Sequence, residues 1–164
     1  MKSLDVAGLR DYLSLRKEII AAYLFGSYAS GRPRPASDID IALLLDTAVN
    51  RKDYGVLKLN IITDLIGILS SDAIDLVILN ATTPLLSHEV IKKGKLLFSK
   101  DEKARLEYTV RATVRYLDTI HLRKVQDRVL HEKIRRGDFG YFKGSRKYSI
   151  ETPGKGAPDT PAVK

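Results

Sequence analysis

The chain has 164 residues, 44% of them hydrophobic, and no cysteine. That is material for one ordinary core, and it excludes disulfides and thiolate-bound zinc or iron-sulfur centres, which fits a reducing, cytoplasmic setting. The formal net charge is +8, and a basic balance of this kind points to an acidic partner, nucleic acid or phosphates.

The first segment, "MKSLDVAGLRDYL", interrupts its apolar residues with Asp5, Arg10 and Asp11, so it reads as an amphipathic helix rather than a signal peptide. Leu4, Leu9, Leu13 and Leu15 supply its apolar face. No run approaches the ~18 apolar residues of a membrane span. "EIIAAYLFG" at 18–26 turns β-branched and aromatic, the pattern of a buried strand, and "DIDIALLLD" at 38–46 is a second. Residues 52–69 repeat apolar side chains at helical spacing: Val56, Leu57, Leu59, Ile62, Leu65, Ile66 and Leu69. "AIDLVILN" at 73–80 returns to strand character.

Thr83 and Pro84 form an N-cap with proline in the first turn, Gly94 closes that helix, and "KLLFS" follows as a short strand. Ser99 and Glu102 have capping-box spacing ahead of a long helix from 101 to about 136. Its Leu106, Val110, Val114, Leu117, Val125 and Val129 recur at roughly helical spacing. The first half of this stripe is expected to pack on the chain's own sheet, and the basic second half to contact a partner. Residues 121–150 hold nine Lys/Arg against Asp127, Glu132 and Asp138; a solvated helix face is the plain alternative for such a run.

These elements predict an α/β fold, a small mixed sheet flanked by helices with a long C-terminal helix. The expected organisation is a core over 1–99, a helix over 100–136 that packs on the core and on a partner, and a basic tail over 137–164. "PGKGAPDTPAVK" holds three of the six prolines in that tail, a composition expected to be flexible.

Asp38 and Asp40, two apart on a strand, project to the same side roughly 6 to 7 Å from one another. Carboxylates so close repel unless a cation or donor compensates. Magnesium suits the position, because it binds through one or two carboxylates and fills its shell with water and substrate phosphates. Gly26 and Ser27 follow directly on the first strand, where glycine admits a ligand close to the backbone and amides hold phosphate oxygens. If a helix begins near Ser27, its N-terminus adds positive character. Gly31, Pro33 and Pro35 carry the chain around to the second strand. Asp75 opens the strand at 75–79 in a similar apolar setting, with Asp72 three residues away as its alternative. Strand-end aspartates also cap turns, but two Asp with Gly and Ser at a fixed offset arise by chance only roughly twice in a thousand chains of this length.

Gly26-Ser27, ten intervening residues and then Asp38-x-Asp40 resembles the signature of the DNA polymerase beta-like nucleotidyltransferases. The compactness and Asp75 before "LVIL" make the chain similar to the minimal nucleotidyltransferases, the MntA-type antitoxins. The resemblance covers about residues 8–120. It implies the nucleotidyltransferase fold, with Gly26, Ser27 and Ser37 as nucleotide-binding candidates and with Asp38, Asp40 and Asp75 as catalytic residues and metal ligands, for magnesium expected as two ions. Many relatives carry Arg where this chain has Ser30, with Arg32 and Arg34 close enough to compensate. The activity implied is transfer of AMP from ATP to a tyrosine hydroxyl on a cognate HEPN-family ribonuclease toxin, in a hetero-oligomer.

Two alternatives stay open: the same chemistry on a small molecule or RNA end, and a non-catalytic antitoxin that blocks by binding. Basic residues over 121–147 favour RNA, but Phe139, Tyr141, Phe142 and Tyr148 lie in one irregular stretch rather than as a base-stacking cluster, so nucleic acid is not favoured. Arg115 and His121 have the spacing of a HEPN ribonuclease motif yet sit on a helix appended to a sheet domain, and "GDFG" at 137–140 has no kinase-type companions. His88, His121 and His131 show no metal-ligand spacing.

Overall fold

A computed structural model describes residues 4–34 and 37–136. Pro35, the "GDFG" run and the basic tail over 137–164 lie outside the described residues, as does the side chain of His121. The chain divides into two units, 1–123 and 124–164.

The first unit is a four-stranded sheet in the order β3-β2-β1-β4 with helices on both faces. It opens with α1 (Val6–Leu15), started by Asp5, whose carboxylate accepts from the Gly8 amide at 2.9 Å. Leu9 and Leu13 of α1 are fully buried, whereas Leu15, expected on the same face, is exposed. β1 (Ile19–Phe25) pairs antiparallel with β2 (Ile39–Leu45) and with β4 (Lys95–Ser99). β2 pairs parallel with β3 (Ile74–Ile78), and that pairing requires the crossover supplied by α3 (Tyr54–Leu69).

Alternation along β2 sorts the core into two layers. Ile39, Ile41, Leu43 and Leu45 face α1 and α3, where they meet Leu9, Leu13, Ile61 and Leu65. Ala42 and Leu44 face the other way, toward Val90 of α4 (Pro84–Lys93) and Tyr108 of α5 (Glu102–Arg135). Each fully buried leucine or isoleucine contributes about 1.5–3 kcal/mol before chain entropy is counted. On α3 the buried residues are Ile61 and Leu65, while Val56, Leu59 and Ile66 of the expected stripe are exposed.

Two local details differ from expectation, and a third, the closure of α4 at Gly94, agrees with it. α5 is capped by Asp101, whose Oδ1 accepts from the Ala104 amide at 2.9 Å, rather than by a Ser99–Glu102 box; Glu102 instead pairs with Arg105. Gly94 ends α4 in extended backbone, and glycine is needed there because a Cβ would meet the Val90 carbonyl oxygen at 2.5 Å. On the first half of α5, Leu106 (50%), Val110 (63%), Val114 (51%) and Leu117 (56%) are exposed. The expected core packing of that stripe therefore fails: α5 packs through Tyr108 and Ala112 on its opposite side. Within the second unit, Val125 and Val129 are exposed as well.

Thr83 caps α4 as expected, its hydroxyl accepting from the Leu86 amide at 3.3 Å. Asn80 closes the end of β2, accepting from the Leu45 amide at 2.8 Å and donating to the Leu45 carbonyl at 2.9 Å. No helix among the described residues is long and apolar enough to cross a membrane.

Candidate active site

Strand register gathers the acidic residues at one end of the sheet. Phe25 stands opposite Asp40 in the β1/β2 pair, and Asp40 stands opposite Asp75 in the β2/β3 pair. The three residues therefore form one row across adjacent strands, with neighbouring backbones roughly 4.8 Å apart. Asp38 precedes β2 by one residue, and the Ile39 amide bonded to the Ala73 carbonyl at 2.8 Å fixes that entry beside β3. Asp72 lies in the bend before β3, so Asp75 rather than Asp72 joins the row.

Asp40 is half-buried, and its carboxyl is pushed above the usual range by burial first, then by the negative charges of Asp75 and Asp38. Asp75 is exposed, and Lys58 of α3 brings Nζ to 3.9 Å from its Oδ1. Sequence patterning did not single out Lys58; only the crossover places it beside β3.

The turn after β1 presses on the same carboxylate. Gly26 has φ +66°, and a Cβ on it would stand 2.0 Å from Asp40 Oδ2, so only glycine lets the backbone pass this close. Gly26 begins α2 (Gly26–Ala29), a single turn. The Ser27 carbonyl accepts from the Arg32 amide at 3.0 Å and from Ser30 Oγ at 2.9 Å, so Ser30 serves to close the turn. Ser27 Oγ is itself buried and has no hydrogen-bond partner among the described residues. Ser37 Oγ accepts from the Arg34 amide at 2.8 Å and pins the returning loop. Arg32 and Arg34 are exposed and form no ion pair among the described residues.

Among the described residues no group of three or more His, Asp or Glu side chains is close enough to hold a metal ion by itself. The donors are hard carboxylate oxygens, and Asp40 is raised by burial first and then by the charges of Asp75 and Asp38. Such a set fits a divalent cation that takes one or two carboxylates and completes its shell with water and phosphate oxygens, as magnesium does.

Residues 8–103 match the family model described as polymerase beta, nucleotidyltransferase. Protein adenylyltransferase MntA of Shewanella oneidensis is 36% identical over 85 residues, which is 51% of this chain and 57% of the relative. The match thus spans little more than half the length of that relative. A crystal structure of a toxin-antitoxin with AMP-PNP superposes with a TM-score of 0.65 at 26% identity, over 77% of this chain and 99% of that one. A structure of tri-AMPylated Shewanella oneidensis HEPN toxin in complex with MNT antitoxin gives a TM-score of 0.54 at 25% identity, over 76% and 92% of the two chains.

Proposed function

Because the chain belongs to the polymerase beta nucleotidyltransferase family, we propose that it is a protein adenylyltransferase antitoxin, moving AMP from ATP to a tyrosine hydroxyl of a cognate HEPN toxin. The observation that carries this reading is the row Phe25–Asp40–Asp75 set against the Gly26 turn. The similarity to MntA and to toxin-antitoxin structures supports the choice of acceptor.

In this reading the Gly26-Ser27 backbone receives the triphosphate, and the buried Ser27 hydroxyl, without a partner among the described residues, donates to a phosphate oxygen. Arg32 and Arg34 extend from the loop toward the same anion. Asp38 and Asp40 would hold magnesium, which when bound offsets the charge of the phosphates and of the departing pyrophosphate. The tyrosine oxygen forms a bond to the α-phosphorus as the bond from that phosphorus to the bridging oxygen of pyrophosphate breaks. Asp75 takes the hydroxyl proton on a carboxylate oxygen, and Lys58 provides the counter-charge beside it. The toxin docks on the exposed stripe Leu106, Val110, Val114 and Leu117, which leaves more apolar surface on one helix face than a lone surface helix needs.

The test is incubation of the purified chain, toxin, magnesium and labelled ATP, followed by mass spectrometry of the toxin. A tyrosine heavier by AMP is expected, and Asp38→Asn or Asp40→Asn should remove it by more than the ~10²–10⁴ that a general base alone contributes. Undiminished transfer by the doubly substituted protein would refute the assignment. A wild-type protein that silences the toxin without labelling it would mean inhibition by binding alone.

A further inference from the structure

At the end of the sheet opposite the carboxylates, where Tyr108 of α5 meets the chain leaving β3, lies a cavity of about 260 Å³. The length of β2 separates the two places by roughly 20 Å. Arg111 and Arg115 line the cavity together with Thr47, Tyr54 and Thr82, and no acidic side chain does. Tyr108 builds the floor: its hydroxyl donates to the Leu79 carbonyl at 2.7 Å and lies 2.9 Å from Oγ of the buried Ser87. The hydroxyls of Thr47, Tyr54 and Thr82, by contrast, have no hydrogen-bond partner among the described residues.

Arg111 and Arg115 stand one helical turn apart, so they share a face and repel. Neither forms an ion pair among the described residues. Their field reaches into the cavity: burial raises the Tyr108 phenol, and the Ser87 hydrogen bond and then the two guanidinium charges act against that rise. Two unpaired cations, three hydroxyls free to donate and no carboxylate make a place suited to a compact anion.

We propose that this cavity binds a small phosphorylated ligand, its phosphoryl oxygens bridging Arg111 and Arg115. Guanidinium groups match phosphate oxygens with paired, charge-assisted hydrogen bonds, and the threonine and tyrosine hydroxyls complete the shell. The volume falls just under the ~300–1,000 Å³ of drug-sized sites, which selects inorganic phosphate or a monoester such as a nucleoside monophosphate. The site shares no residue with the transferase centre, so its fate is independent of that reading.

Calorimetric titration of the full chain with inorganic phosphate and, separately, with AMP tests this, in chelator so that the carboxylate end holds no cation. The Asp40→Asn protein should bind as the wild type does. Arg111→Gln/Arg115→Gln, both on exposed helix surface, should melt normally and bind roughly tenfold or more weakly. AMP tighter than phosphate identifies a nucleotide monoester as the ligand; equal affinity identifies the phosphoryl group alone. Absence of binding by either probe at millimolar concentration, or full binding by the double glutamine variant, would overturn the assignment.

Discussion

Gly26 and Asp40 are packed so closely that a methyl group on the glycine would stand 2.0 Å from the carboxylate Oδ2. The contact ties the turn after β1 to the start of β2, and the positive φ of Gly26 adds a second reason for glycine. An L-residue in that conformation costs about 1–2 kcal/mol before any clash. Gly26→Ala is therefore expected to lose at least that much stability in urea melts, and to lose AMP transfer even where the protein remains folded. A variant that transfers AMP at the wild-type rate would show that the turn need not touch Asp40.

The turn, the two strands and the pair Asp38–Asp40 were legible from sequence because the whole arrangement lies within one short run, bounded by glycine and proline. The choice of Asp75 over Asp72 was not fully legible. It depends on the register set by the Ile39–Ala73 hydrogen bond between segments far apart in the chain. The stripe on α5 illustrates a different limit. Periodicity names a face of a helix, but Leu106 and Val110 are exposed because Tyr108 and Ala112 take the packing side, and spacing alone cannot rank the two faces.

That exposed stripe gives the second prediction. Leu106→Glu with Val110→Glu alters surface positions and should change folding stability by no more than ~0.5 kcal/mol. Binding of the proposed HEPN toxin, measured by surface plasmon resonance on the purified pair, should weaken roughly tenfold or more if these side chains sit at the centre of the interface. Unaltered affinity would move the docking surface elsewhere on the chain.

Tyr12 of α1 donates its hydroxyl to Asp64 of α3, and Arg16 lies 3.7 Å from the same carboxylate. Burial first, and then the bond to Asp64, push the Tyr12 phenol up from 10.0 to about 12. A pKa raised in the fold means that the protonated phenol is the stabilising form. Its contribution is complete below pH 10 and fades as pH rises toward 12. The stability difference between wild type and Tyr12→Phe should accordingly stay flat from neutral pH to about 9 and shrink above 10. A difference that is unchanged at pH 11 would remove the Tyr12–Asp64 bond from the account of how α1 is held to α3.

Ser70 ends α3 with φ 50° and ψ 43°, the left-handed conformation in which helices commonly place glycine. From there the chain passes through Ser71, whose Oγ accepts from the Ala73 amide at 3.3 Å, into β3 and Asp75. The bend thus helps bring Asp75 opposite Asp40 in the β2/β3 pair, and a non-glycine residue holds it under strain. Relief of about 1–2 kcal/mol of left-handed strain, less about 0.5–1 kcal/mol for the freer unfolded chain, leaves Ser70→Gly more stable by up to about 1.5 kcal/mol. Urea melts read that gain directly, and AMP transfer should be retained because the backbone path into β3 is unchanged. A loss of stability would mean that the serine side chain contributes more to the cap than its backbone strain takes away.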